Sequence, residues 1–483
     1  MKQAMPKHSM TEQSISPMKI TSIYKITLLF SATLLLQSCF VAKNYSRPEL
    51  ETESLYRTDN LPTDSTSMAT ISWKDLFNDE QLKSYIEKGL QNNLDIRIAL
   101  ENVAAAEAYV KQGKAGYFPT LTGKASFTRT KNSANSQFGS FFTRPLEQYE
   151  LSGALSWEAD VWGKIRSNKR AAGASYLQSM AAHQAVKTNL VAAIANTYYQ
   201  LMALDKQYSI AEQTLAARKG SLETTMALKD AGQLTEVAVK QTEAQVHTTE
   251  IILIDLENNI KLLENTFCIL LGEPPHEVER SRLDEQSIES DLETGVPYLL
   301  LANRPDIKQA EFGLINAFEL TNVARSSMYP SLSLTASGGF QSLEFENWID
   351  ASSLFSQLVG SLTQPIFNGR RLRTQMEVAK AQQEQALLSY KKTLLTAGKE
   401  VSDALYSYDA EAQKLEARAK ELEAYSVAED YSEELLNNGL ANYLEVLTAR
   451  QNALNSELSY VDSQYGQLNA IVELYRALGG GWQ

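Results

Sequence analysis

Two cysteines among 483 residues are too few for a disulfide framework. Histidine is almost as scarce: past residue 38, His183, His247 and His276 lie far apart with no ligand-like spacing, so no built metal centre is expected. No glycine-rich phosphate loop follows a strand and no nucleophile elbow occurs. Paired acids such as Glu433-Glu434 sit in charged helical surface, so no enzyme is expected. Basic residues are outnumbered, 45 against 58, and the net charge of −13 leaves no basic face for nucleic acid. After residue 38, no stretch reaches the roughly 18 consecutive apolar residues of a transmembrane helix. If the rest of the chain enters a membrane, it does so as a β-barrel.

Proline is missing from the whole of Arg370 to Leu478, which holds three glycines, Gly398, Gly439 and Gly466. Proline costs a helix interior about 3 kcal/mol and glycine about 1, so the run reads as helix. Leu394, Val401, Tyr408, Leu415 and Leu422 recur every seven residues, as do Leu447, Leu454, Val461, Leu468 and Tyr475. A strict heptad repeat implies supercoiled packing on neighbouring helices. Asn437-Asn438-Gly439 separates the two series and favours a left-handed helix stop. The expectation is two long antiparallel helices joined by a tight tip.

The N-terminus carries Lys19 and Lys25, the apolar run Ile26 to Leu36, then Gln37-Ser38-Cys39. That order marks a secretory leader, too short to anchor as a spanning helix. Leu36-Gln37-Ser38-Cys39 resembles a bacterial lipobox, in which the cysteine is lipidated and becomes the mature N-terminus. The plainer alternative is a simple signal peptide with an incidental cysteine. Removal of residues 1–38 takes away four lysines and one glutamate, moving the charge from −13 to −16. Either Met1 or Met18 serves as the start. Cys268, in a helical pattern, is expected to be a packed core residue.

The chain repeats itself. Asn93-Leu94-Asp95-Ile96 returns as Arg304-Pro305-Asp306-Ile307, and Gly116 to Leu121 as Ser327 to Leu332, both 211 residues on. Gly163-Lys164 matches Gly369-Arg370 at 206, while Gly232, Leu271-Gly272 and the series Ile194, Leu201, Tyr208, Leu215 find counterparts at 207. The shift falls by about five between the proline and glycine landmarks. Each half reads as a shorter helix (93–116 and 305–328), a Pro-to-Gly segment, a long helix (164–230 and 370–438), a tip, and a further helix (234–271 and 441–478). At 1.5 Å per residue the long helices reach roughly 100 Å, and a ring of them would make a tube.

The Pro-to-Gly segments alternate. Leu121, Gly123, Ala125 and Phe127 oppose Thr120, Thr122, Lys124, Ser126 and Thr128; Tyr149, Leu151, Gly153, Leu155, Trp157 and Ala159 oppose Glu150, Ser152, Ser156, Glu158 and Asp160. Leu332, Leu334, Ala336 and Phe340 oppose Ser331, Ser333, Thr335 and Ser337. A fourth strand near 354–366 is less regular, because Ser356 falls on the Leu354, Leu358, Leu362 face. Such strands suit an outer-membrane barrel. A half-buried soluble sheet gives the same alternation, but the leader and the missing transmembrane helices favour the barrel. Four strands cannot close a membrane barrel, so chains must pool them; three chains would supply twelve strands and twelve helices.

The ordered set Asn44 to Pro48, Trp73 to Asp79, Asn92 to Ile96, Arg304 to Ile307, Tyr329 to Leu332, Pro365 to Gly369 and Gly439 to Leu447 resembles a TolC-type outer-membrane efflux protein. Within that group it is most similar to the lipoprotein branch serving resistance-nodulation-division (RND) pumps. The resemblance implies a mainly α fold with a β-barrel: a homotrimer whose coiled-coil helices form a periplasmic tunnel continuous with a twelve-stranded barrel in the outer membrane. It implies a periplasmic adaptor protein docking at the helical tips and an inner-membrane RND pump behind it. The tips would be 231–235 (Gly232, Gln233, Leu234, Thr235) and 438–443 (Gly439, Leu440, Ala441, Tyr443). Glu445 and Thr448 match the positions that narrow the tunnel in the family. Only Glu445 is acidic, so a single carboxylate ring is expected rather than a double one. The plainer role for Glu445 is a solvated acid complementing a helix N-terminus. Helices about 10 Å apart in a ring of twelve would leave a bore of roughly 25–30 Å.

The expected divisions are a lipoprotein signal peptide (1–38), a lipidated equatorial segment (39–92), a first repeat (93–272, hairpin 120–160), a linker (273–303), a second repeat (304–479, hairpin 331–366) and a tail (480–483). The expected function is a passive outer-membrane exit duct of a tripartite efflux pump, in contact with outer-membrane lipid and without cofactor beyond the lipid on Cys39. The rivals are a periplasmic coiled-coil scaffold lipoprotein and the exit duct of a type I secretion system.

Overall fold

The computed structural model of the protein describes residues 41–49, 55, 57, 68–137, 139–141, 144–286 and 300–482. The expected leader, Cys39 and part of the expected linker at 273–303 lie outside the described residues. The principal elements are α1 (Glu80–Asn92), α2 (Leu94–Ala115), β1 (Thr120–Thr130), β2 (Leu146–Ala159), α3 (Lys164–Asp230), α4 (Glu236–Leu271), α5 (Pro305–Ser326), β3 (Ser331–Ser342), β4 (Leu354–Thr363), α6 (Arg371–Asn437) and α7 (Tyr443–Leu478). Helix α1, inside the segment expected only to be equatorial, starts at an N-cap that its sequence announces. Asp79 accepts from the amides of Gln81 and Leu82.

The order α2-β1-β2-α3-α4 recurs as α5-β3-β4-α6-α7, and the lengths recur with it. Helices α2 and α5 have 22 residues each, α3 and α6 have 67, and α4 and α7 have 36. Thr235 and Asn442 are the N-caps of α4 and α7, so these helices begin two residues later than expected. Strand registers set the shift between copies at 211 for β1 to β3 and 207 for β2 to β4, and the helices α3 and α6 keep 207. The difference is therefore four residues rather than about five, and it falls in the connections between paired strands. The expected match of Gly163 with Gly369 is also displaced by one. Gly163 (φ 79°) takes the place of Arg370 (φ 66°), with Gly369 (φ 61°) just ahead of it. A left-handed non-glycine residue costs about 1–2 kcal/mol, which a glycine at 369 had disguised in the sequence.

The chain divides into two compact units that cut across both repeats. The first comprises Gln112–Ala171, Phe318–Lys380 and the described part of Met1–Ser46. Its centre is one antiparallel sheet in the order β1-β2-β3-β4. Asp160 caps α3 by accepting from the amides of Ile165 at 2.8 Å and Arg166 at 2.9 Å. The Trp162 indole donates to the Pro330 carbonyl at 2.7 Å, which ties the start of α3 to the entrance of β3. Asn322, fully buried, accepts from the Lys43 amide at 3.1 Å and donates to the Lys43 carbonyl at 2.9 Å, so the N-terminal segment is held as an added strand would be.

The second unit comprises Arg47–Lys111, Ala172–Ala317 and Ala381–Gln483. Its aromatic core joins Tyr85, Phe267, Tyr198 and Tyr199, with Tyr85 edge-on to Phe267 at 5.1 Å. Cys268 is buried beside them, as expected. Helix α7 bonds to α3 through Asn196–Glu473 and Gln207–Asp462, and to α6 through Arg450–Glu433. Accordingly its heptad series Leu447, Leu454, Val461, Leu468 and Tyr475 is buried throughout. Of the α6 heptad series, Leu394 and Val401 are buried and Tyr408, Leu415 and Leu422 are half-buried. Among the described residues, no helix is long and apolar enough to cross a membrane.

Candidate functional site

Three features are candidates for function: the sheet's apolar face, its two edges, and the helical tips. The sheet's register brings the alternating residues of all four strands into rows. Leu121, Leu155, Ala336 and Leu358 form one row; Gly123, Gly153, Gly338 and Ser356 the next; Ala125, Leu151, Phe340 and Leu354 a third. Ser356, irregular when β4 is read alone, stands in a band of small residues. The opposite face carries Thr122, Ala154, Ser337 and Gln357, then Lys124, Ser152, Gly339 and Phe355. Leu121 and Leu358 are 77% and 71% exposed, so the apolar face is left open by the described residues.

Aromatic side chains lie at both ends of the sheet. At the loop end Phe127 stacks on Tyr149 at 4.9 Å, and Tyr149 meets Phe345 at 5.4 Å. At the helix end Trp162 lies 5.0 Å from Tyr329, and the Trp157 indole donates to the Tyr117 carbonyl at 3.0 Å. An apolar band between two aromatic belts is the signature of a lipid-facing barrel wall. Strands β1 and β4 are each paired on one side only, and open edges are not tolerated in lipid.

At the first tip α3 ends in a Schellman motif: Gln233 N–H donates to Leu228 O at 2.9 Å and Gly232 N–H to Lys229 O at 2.8 Å. At the second, Leu440 N–H donates to Leu435 O at 2.8 Å and Gly439 N–H to Leu436 O at 2.9 Å. Gly232 and Gly439 hold φ 77° and 73°, which side-chain-bearing residues adopt only under strain. Lys229 reaches both Asp230 and Glu236, whose hydrogen bonds raise its pKa above the ordinary lysine value. Gln233, Thr235 and Leu440 are exposed, while Leu234, Ala441 and Tyr443 are half-buried.

Glu445 and Thr448 are exposed and one turn apart on α7. Glu445 belongs to a cap: its amide donates to Asn442 Oδ1 at 3.1 Å, and the Asn442 amide donates to its carboxylate at 3.0 Å. The Thr448 hydroxyl is turned to its own helix, donating to the Leu444 carbonyl at 2.9 Å. Tyr443 does more than line a tip. Its hydroxyl sits 2.5 Å from Thr242 Oγ1 on α4 and accepts from Thr225 Oγ1 on α3 at 3.1 Å.

Sequence reasoning missed the polar seam behind this tyrosine. Arg218 is only 3% exposed, donating to the Gln245 carbonyl, Thr249 Oγ1 and Gln451 Oε1. Burial, with Arg450 adding to it, pulls the pKa of its guanidinium below the ordinary value. A signal existed: Arg218 and Thr225 follow Ala211 at seven-residue steps, interleaved with the Ile194–Leu215 series at places where a coiled coil normally puts apolar residues. Among the described residues, no cluster of His, Cys, Asp or Glu could hold a metal ion.

A sheet with an open apolar face and long helical hairpins in one chain are features of a membrane channel component. The family described as "Outer membrane efflux protein" matches residues 85–273 and 296–480, and the chain belongs to that family. The solvent efflux pump outer membrane protein SrpC of Pseudomonas putida is 30% identical over 458 residues, covering 93% of this chain and 97% of that protein. The cation efflux system protein CusC of Escherichia coli O6:H1 is 27% identical, covering 94% and 98%. Among solved structures, the outer-membrane channel OprN superposes with a TM-score of 0.84 at 26% identity, covering 92% of this chain and all of that one. The family is one of outer-membrane efflux channels, which conduct rather than catalyse.

Proposed function

We propose that three copies of the chain close a twelve-stranded barrel in the outer membrane and form the exit duct of a tripartite efflux pump. The observation that carries this reading is the pair of free edges, β1 and β4, flanking an uncovered apolar face with aromatic belts. Each edge needs a partner in lipid, and three four-stranded sheets make a closed barrel. The tips at Gly232 to Thr235 and Gly439 to Tyr443 receive a periplasmic adaptor protein, behind which stands an inner-membrane RND pump. Glu445, at the tip end of α7, narrows the opening as one carboxylate ring. Cys39 carries covalent lipid, placing the chain in the lipoprotein branch, and no other cofactor is required. Relatives named for solvent and cation efflux support small toxic solutes as the cargo class.

Reconstitution in planar bilayers tests the duct. Discrete cation-preferring conductance from detergent-extracted protein is the expected result; a chain that leaves the membrane without detergent and conducts nothing would return the periplasmic scaffold to first place. Labelled palmitate tests the anchor: incorporation should vanish in Cys39→Ala, and persistent labelling would assign the lipid elsewhere.

A further inference from the structure

The seam between the two repeats inside one chain contains the plan of the seam between chains. Within the chain, the last strand of the first repeat (β2) pairs with the first strand of the second (β3), with Ala159 opposite Leu332, Ser156 opposite Thr335 and Ala154 opposite Ser337. The strand after the second repeat's loop, β4, is β2 shifted by 207 residues, and β1 is β3 shifted back by 211. Carrying both shifts through the β2–β3 register gives one register for β4 against β1 of another copy. We propose that β4 pairs with β1 of a second copy of this chain so that Thr363 faces Lys124, Leu362 faces Ala125 and Ser361 faces Ser126. This rests on the assembly reading above and adds the register to it.

The faces of the strands exclude a slip of one residue, and the helices independently leave room for another copy. Antiparallel partners must lie on the same face of a sheet, and a register one residue away would turn leucines of β4 towards the polar row of β1. The carried-over register keeps Leu362 with Ala125 on the apolar face and Thr363 with Lys124 on the polar one. The helices repeat the pattern. Ala171 and Ala181 on α3 are each 3% exposed, whereas their counterparts 207 residues on, Val378 and Leu388 on α6, are larger, apolar and 48% and 56% exposed. A face that is covered in the first repeat is therefore still uncovered in the second, as a site for another copy requires. The proposed register applies to the helix-proximal half of the strands. Farther out, Gly339 approaches the Leu151 carbonyl too closely for a side chain, and its counterpart in β1 is Thr128.

Four positions on the polar face make a two-by-two test. Ser361→Cys with Ser126→Cys, and Thr363→Cys with Lys124→Cys, are in register; Ser361→Cys with Lys124→Cys, and Thr363→Cys with Ser126→Cys, are slipped by two. Disulfides need Cα atoms about 4.4–6.8 Å apart, which only directly opposed residues satisfy here. After mild oxidation of the full-length protein in outer-membrane fractions, covalent oligomers are expected from the in-register pairs, and only the wild-type background from the slipped ones. The mass of each variant in detergent is measured alongside. Trimers that cross-link through the slipped pairs, or through none, would overturn the register alone. Monomers in the wild type and all variants would overturn the assembly reading together with it. Any double variant that does not assemble is replaced by Leu362→Cys with Ala125→Cys, which probes the same register from the other face.

Discussion

The Arg304 guanidinium donates to the carbonyl of Ala477 at 2.7 Å, the place in the second repeat where the Asn93 amide donates to the Leu270 carbonyl at 3.0 Å in the first. Both side chains are buried, and each pins the start of a short helix to the last turn of the repeat's final helix. The motifs Asn93-Leu94-Asp95-Ile96 and Arg304-Pro305-Asp306-Ile307 thus match because they do the same work with different donors.

Arg304 also pairs with Asp306 at 2.6 Å and Glu400 at 2.8 Å. Arg304→Ala would strand both carboxylates and the Ala477 carbonyl. Both acids keep some solvent, so a loss of about 2–3 kcal/mol is expected, below the 3–5 of a fully buried pair. Arg304→Lys should recover part of it. The unfolding midpoint in detergent checks both, and an unchanged midpoint in the alanine variant would deny the pin.

Tyr443→Phe removes the hydroxyl shared with Thr242 and Thr225 while keeping the ring. Each such bond contributes about 1 kcal/mol. Amide hydrogen exchange in the first turns of α4 and α7 should quicken by roughly 5–30-fold, the factor for one or two kcal/mol. Unaltered protection would mean that the second tip is held to α3 and α4 by other contacts.

Glu445→Gln keeps an acceptor for the Asn442 amide and removes only the charge. Stability should move by less than about 0.5 kcal/mol, as for an ordinary surface change. If the carboxylates ring the narrow end, cation preference in a salt gradient should fall. A reversal potential equal to that of the wild type would leave Glu445 with its capping role alone.

Burial raises the pKa of Glu457 on α7 above the ordinary carboxyl value of 4.5, with Lys206 opposing the shift. A carboxyl whose folded pKa is raised penalises the folded state when it is charged, so the penalty is full at neutral pH. It fades as pH falls through the raised value and is gone below 4.5. Glu457→Gln should therefore be more stable than the wild type at pH 7.5, by at most about 0.5 kcal/mol after solvent screening. The gain should vanish towards pH 4.5, and midpoints across that range check the sign. A gain that grew as pH fell would refute the assignment.

Helices and strands were legible because their signals are local. The absence of proline from Arg370 to Leu478 and the alternation from Thr120 to Thr128 match α6, α7 and β1 to within a few residues. Gly232 and Gly439 announce the tips because a left-handed stop needs glycine. Local signals also misled: Gly369 drew the match that belongs to Arg370, since composition shows which residue tolerates a positive φ and not which one adopts it.

By itself, the amino-acid sequence determined the order and approximate length of the elements from α2 onward, the two-fold recurrence and the apolar face of the first three strands. All of these follow from backbone propensity and periodicity along the chain. Tertiary structure alone decided which strands are neighbours, that Ser356 joins a row of glycines, that Arg218 is buried against Gln245, Thr249 and Gln451, and that Tyr443 reaches Thr242 about two hundred residues away. These depend on register and packing between distant segments, where a shift of one residue reverses a face while leaving every local preference intact.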